Sequence, residues 1–178
     1  MKKKILLFLL LSAFIIEAQE KMTVTNGIII FEASVPFFEP IKAKNKEVNC
    51  ILNTRRGSIS FIAYVKDFRF ERALMEEHFN DNYMESRRYP KATFKGLIEK
   101  FDLKNISSDA ERYYIRGKII MHGKSKNIRV PAKIKRVSTG LELTSDFTLN
   151  SDDYNIEVSY VVRSKISKII KVRVKAVF

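Results

Sequence analysis

Few side chains in this sequence have the type and spacing that chemistry requires. His78 follows Glu76 and Glu77 in ERALMEEHFNDNYM, and His122 precedes Gly123 and Lys124. Neither histidine stands at a metal-ligand spacing from the other or from Cys50, so no zinc-type site is expected. Adjacent helix positions point apart, so Glu76 and Glu77 are not preset as acid–base partners of His78. No serine occupies a nucleophile elbow, and no glycine-rich loop is placed to cradle a phosphate. Asp152 and Asp153 are neighbours in NSDDYN, a polar stretch where solvated acids belong. Catalysis, a metal site and a cofactor are therefore not expected. What the chain supplies in quantity is apolar surface: thirteen phenylalanines and seven tyrosines but no tryptophan, with the aromatics clustering between Phe61 and Phe101.

The elements that must position this apolar material repeat with a period of two from Met22 onward, which is the signature of strands with one dry and one wet face. At the C-terminus, Ile170, Val172, Val174, Ala176 and Phe178 alternate with Lys171, Arg173 and Lys175. In RGSISFIAYV, Ile59, Phe61, Ala63 and Val65 share a face, and in YYIRGKIIMHG the shared face is Tyr113, Ile115, Gly117, Ile119 and Met121. Ile128, Val130, Ala132 and Ile134 continue the pattern, as do Leu141, Leu143, Phe147 and Leu149. GIIIFEASV and EVNCIL read as strands without a clean face. Seven or eight short strands joined by turns such as TRRGS, HGKSKN and VSTG predict an all-β sandwich or barrel. One segment departs from the period: residues 71–84 place Leu74, Met75, His78 and Phe79 on one helical stripe, and Pro90 closes the excursion. A short helix inserted in such a chain is expected to cap something.

The N-terminus, MKKKILLFLLLSAFIIEAQ, is built like a secretory signal: a lysine cluster, an apolar run from Ile5 to Ile16, and Ala18 as a small residue for cleavage. The run is too short to span a membrane, which takes roughly 20 residues. Residues 1–18 are therefore expected to be a signal peptide, residues 19–178 a single mature domain, and the protein periplasmic or secreted. Removing three lysines and Glu17 takes the net charge from +13 to about +11, so the mature domain stays basic. Export argues against nucleic acid as its partner, while a dispersed basic exterior suits solvation or an anionic membrane surface. Cys50, the single cysteine, has no internal disulfide partner and reads as a small buried residue.

A barrel of about eight strands is just wide enough to be filled by side chains or to hold one ligand, and alternation alone does not separate these cases. A resemblance narrows them. VKDFRFERALMEEHFNDNYMESRRYPKATFKG, residues 65–96, resembles the part of the YceI-like family in which a Phe-x-Phe strand end leads to a short helix and then a Tyr-Pro-x-Ala-x-Phe strand start. RGKIIMHGKSKNIRVPAKI, residues 116–134, resembles the family's hairpin, and SDFTLNSDDYNI, residues 145–156, its late strand and following loop. The resemblance implies an extended, lipocalin-like antiparallel β-barrel with a short capping helix near residues 71–84. It also implies a binding protein, with an isoprenoid or fatty lipid inside the barrel and no catalysis. Expected cavity residues are Phe61, Phe70, Leu74, Met75, Phe79, Phe94, Ile119, Met121, Phe147 and Leu149, with Arg69, Arg72 and His78 at the rim for a polar head. The alternative is a filled barrel that acts as an envelope-stress or interaction protein through its basic surface. The oligomeric state, a homodimer included, is left open by the sequence.

Overall fold

The period-two segments all form strands, and each strand pairs antiparallel with its neighbours. The computed structural model describes residues 20–178, so the expected signal peptide lies outside the described residues. The strands are β1 (Lys21–Ser34), β2 (Lys42–Asn53), β3 (Ser58–Tyr64), β4 (Arg69–Phe70), β5 (Lys91–Ile98), β6 (Glu111–Met121), β7 (Lys124–Val137), β8 (Gly140–Asn150) and β9 (Ile166–Val177). Eight of them follow the order β1-β9-β8-β7-β6-β5-β3-β2, and pairing of β1 with β2 closes the barrel and removes its free edges. The two residues of β4 add only a short pairing beside β2.

The clean alternation of β3, β6, β7, β8 and β9 survives intact: their apolar positions turn inward and their charged positions outward. In β2 the buried parity changes midway, from Ala43 and Asn45 to Val48, Cys50 and Leu52. The cause is an irregularity against β1, where Ile29 faces Asn45 but Gly27 faces Val48. Asn45 holds it together: its Nδ2 donates to the Tyr64 carbonyl at 3.1 Å, and its Oδ1 accepts from the Glu47 amide at 2.8 Å. Lys46 and Glu47 therefore stand opposite the single Ile28, one extra residue, and the strand lacks a single face in sequence. Gly27 stands at the same place because a Cβ there would collide with Cys50 Sγ. Burial also pushes the Cys50 thiol up to about 12, which keeps it protonated and unreactive in the native protein.

All strands run between the same two ends, and the interior differs along that axis. At one end Leu52, Ile59, Ile98, Ile134, Leu141 and Phe178 fill the barrel as an ordinary core. Ile106, on the connection between β5 and β6, plugs this end, and Arg136 ties that connection down by donating to the Leu103 and Ile106 carbonyls. At the other end the connections are residues 35–41, 65–90, 122–123 and 151–165, and 65–90 and 151–165 are longer than any connection at the filled end. The interior there is not filled.

Candidate functional site

The unfilled end holds a cavity of about 550 Å³ whose wall is almost entirely hydrocarbon. That size lies within the roughly 300–1,000 Å³ usual for small-molecule sites. Its floor is the inward face of the barrel strands: Phe61 and Ala63 from β3, Ile115 and Ile119 from β6, Val130 from β7, and Leu143 from β8.

The wall near the mouth is aromatic. Phe31, Phe68, Phe70 and Phe79 form one cluster whose ring centroids lie 5.1–5.9 Å apart in tilted, edge-on or stacked pairs, a range in which aromatic pairs are attractive. Phe68 and Phe70 converge here because a 3-10 turn at Val65–Asp67 breaks the strand and resets its facing.

The inserted segment is shorter and tighter than a 71–84 helix. The helix α1 spans Ala73–His78, and a π-turn follows at Phe79–Tyr83, with the Met84 amide donating to the Phe79 carbonyl at 2.8 Å. This turn brings Met75, His78, Phe79, Tyr83 and Met84 against the cavity. Leu74 is a correction: it does not line the cavity and is 60 % exposed. One residue of helix rotates about 100°, and the inward direction is set by Met75 and Phe79, so Leu74 falls outside the narrow inward stripe.

RYPKATFKG, residues 88–96, is the strap that fixes this cap. The Pro90 carbonyl accepts from the Val65 amide at 3.0 Å, which closes the base of the insertion. Tyr89 packs edge-on against His122 at 4.7 Å between centroids. His122 and Gly123 both have positive φ and form the two-residue turn between β6 and β7. The His122 ring, with its side chain only 9 % exposed, bridges the Tyr154 carbonyl at 2.9 Å and Glu85 Oε1 at 3.1 Å. His122 is thus a structural tie between the cap, the hairpin and the loop after β8. Tyr154 is buried beside it, and burial, reinforced by Asp153, raises its phenol to about 12. Phe94 enters the barrel from the same strap, opposite Phe61 on β3 and Ile119 on β6. Its ring lies over Gly96 and Gly117, which face each other across β5 and β6. The glycines leave a trough in the wall and the phenylalanine covers it.

The remaining expected cavity residues, Met121, Phe147 and Leu149, also line the wall. Arg69 and Arg72, expected at the rim, do not line the cavity, and each is held by an acid. Arg69 donates to Glu76 at 2.9 Å and to the Lys66 carbonyl at 2.7 Å, and Arg72 pairs with Glu39. The polar residues that reach the lining include Glu39, His78, Tyr83, Asn150, Ser151, Lys165 and Ser167 near the mouth, with Thr93 and Ser145 on the strands. Among the described residues the Ser151 hydroxyl is buried without a hydrogen-bond partner.

Sequence reasoning missed Phe31 and Phe68, and also Ile156, Val158 and Val162 on the loop before β9. Phe31 lies in the segment that lacks a clean face. The loop residues carry no period to be read. No group of three His, Cys, Asp or Glu side chains able to hold a metal occurs among the described residues.

A closed eight-stranded antiparallel barrel, filled at one end and hollow and apolar at the other, defines a lipocalin-like fold. The family model for the YceI-like domain matches residues 19–178, and the chain belongs to that family. Solved structures agree in fold. A polyisoprenoid-binding domain from Saccharophagus degradans, implicated in plant cell wall breakdown, superposes with a TM-score of 0.74 at 14 % identity, covering 88 % of this chain and 95 % of its own. BcnA of Burkholderia cenocepacia gives 0.68 at 14 % identity, covering 83 % and 94 %. A YceI protein of Campylobacter jejuni gives 0.55 at 17 % identity, covering 74 % and 80 %. No curated protein matches the chain.

Proposed function

We propose that this protein is an exported, periplasmic or secreted, carrier that holds the apolar chain of a polyisoprenoid or fatty lipid in its barrel and catalyses no reaction. The observation that carries this reading is the cavity itself: about 550 Å³ with a nearly continuous hydrocarbon wall. Each methylene moved from water into such a wall contributes roughly 0.8 kcal/mol, so a long chain binds without specific polar recognition. The charged or imidazole groups that reach the lining, Glu39, His78 and Lys165, sit on three different segments, and Glu39 is already paired with Arg72. That arrangement suits a solvated polar head better than a catalytic pair. The polyisoprenoid-binding relative supports the ligand class, and the N-terminal pattern of residues 1–18 supports export.

The test is organic extraction and mass spectrometry of the mature protein purified from its native host without detergent. A stoichiometric isoprenoid or fatty chain is expected. An empty extract from protein that also fails to retain added lipid would sink the reading. It would favour the alternative, an interaction protein using its basic wall, where Lys95 faces Lys118 and Arg116 faces Arg129 across β5, β6 and β7. Such like-charge pairs are unfavourable in an isolated sheet.

Ser151 provides a finer check. Ser151 is a residue of the cavity lining and its hydroxyl is buried and unpaired among the described residues, so we take a polar group of the ligand as its partner. Ser151→Ala is expected to leave the melting temperature of the empty protein unchanged or raised. It should weaken binding of a chain with a polar head by roughly three- to tenfold, as a net hydrogen bond of about 1 kcal/mol would. Equal affinities by titration calorimetry would remove Ser151 from the site.

A further inference from the structure

The end of the barrel that opens to the cavity is not uniform around its circumference. Three segments carry large apolar side chains at their tips. The connection from β1 to β2 exposes Phe37 completely, at 106 % of its reference area. Helix α1 exposes Leu74, and the segment before β9 exposes Tyr160 at 78 % and Val161 at 80 %. These tips are neighbours in space. Pairing of Ser34 with Ile166 sets the first segment beside the third, and the Arg72–Glu39 ion pair ties the first to the start of α1. On the far side lie the turn at His122–Gly123 and the segment from Asn82 to Tyr89. There the surface is a polar hollow containing Glu85, Lys124, Asn155 and Glu157. The mouth therefore has an apolar arc and a polar arc.

We propose that the apolar arc, Phe37, Leu74, Tyr160 and Val161, is a docking surface that inserts into the lipid bilayer from which the cavity is loaded. The inference rests on the lipid-carrier reading for its purpose and on the rim for its evidence. The apolar arc is continuous with the cavity wall: Phe38, next to Phe37, is half-exposed and also lines the cavity, and so does Val162, next to Val161. A chain leaving a bilayer through this arc meets hydrocarbon all the way, with no aqueous step. The chemistry of the third segment suits the headgroup layer. Arg163 stacks on Tyr160 at 4.6 Å, and neither Arg163 nor Lys165 forms an ion pair among the described residues. Tyrosine and arginine with one wet end and one apolar body settle at a membrane interface, and the positive charges of Arg163 and Lys165 favour anionic lipid. The polar arc would face water and set the tilt of the docked barrel.

The mature protein and the triple variant Phe37→Ser/Leu74→Ser/Val161→Ser are compared on phosphatidylcholine vesicles with and without phosphatidylglycerol. The three positions are exposed and outside the cavity lining, so the variant keeps its fold, which circular dichroism checks. Two readouts are taken: co-sedimentation with vesicles, and transfer of a fluorescent polyprenyl analogue from vesicle to protein. The wild type is expected to co-sediment, more strongly with phosphatidylglycerol, and to collect the analogue at a rate that rises with vesicle concentration. The variant should lose sedimentation and transfer by roughly tenfold or more, as three apolar side chains leaving the bilayer imply, with unchanged equilibrium retention. Equal sedimentation of the two proteins, or none by either, overturns the docking surface even if the analogue is retained. Loss of a wild-type dimer in the variant, seen by analytical ultracentrifugation without vesicle binding, overturns it in favour of a contact between copies. Sedimentation abolished by the variant, with no analogue retained by either protein, supports docking and overturns the carrier reading instead.

Discussion

Replacing Met121 by aspartate is expected to abolish retention of an apolar chain while leaving the barrel folded. Met121 lies near the hollow end of β6, lines the cavity, and stands outside the buried core that fills the other end. A carboxylate there remains hydrated while the cavity holds water, so the cost to the empty protein is small. Loading an apolar chain would strip that water from the charge, and burying an unpaired charge costs several kcal/mol even after relaxation. Affinity for a polyprenyl analogue should fall by more than about 100-fold, since each 1.4 kcal/mol is a factor of ten. The checks are extraction of bound lipid, titration with the analogue and circular dichroism. Unaltered retention in a folded Met121→Asp protein would mean that the chain does not occupy this cavity. Phe94 is a poorer site for the same experiment, because its ring also covers Gly96 and Gly117 and a change there alters the wall itself.

Gly117→Ala is expected to be the most damaging small substitution in the hollow half of the barrel. A Cβ at Gly117 would stand 2.6 Å from Phe94 Cζ and 2.7 Å from the Gly96 Cα, and would also collide with the Lys95 carbonyl oxygen. The ring can swing away, but only into the cavity, and the backbone contacts require β5 and β6 to separate. Overpacking of this kind costs about 1–3 kcal/mol, which for a domain of this size lowers the melting temperature by roughly 2–12 °C. A double variant that also shortens Phe94, Phe94→Leu, should recover the part due to the ring and leave the part due to the backbone. Full recovery, or no loss in the single variant, would show that the glycine pair is not a packing requirement. Cavity binding should weaken in the single variant as well, because the displaced ring takes space from the ligand.

Much of this protein is written in alternation. The inward faces of β3, β6, β7, β8 and β9 are determined by sequence alone, because a strand has a period of two and the charged residues on it pay a large desolvation cost if turned inward. The short helix after β3 is similarly determined, as are the hairpin at His122–Gly123 and the apolar character of the interior. What the sequence does not determine is where alternation fails. One extra residue bulges from β2, the 3-10 turn at Val65–Asp67 resets the facing of Phe68 and Phe70, and in α1 Met75 turns in while Leu74 turns out. The first two are held by contacts distant in sequence, Asn45 with Tyr64 and the Val65 amide with the Pro90 carbonyl. Arg69 and Arg72 show the same limit for charge: their acidic partners, Glu76 and Glu39, are brought to them by the closed barrel and its cap. Whether inward apolar residues meet in a core or leave a hollow is likewise a tertiary matter. The same kinds of side chain fill one end of this barrel, where Ile106 plugs it, and line about 550 Å³ of space at the other, where the two longest connections, residues 65–90 and 151–165, arch over the mouth.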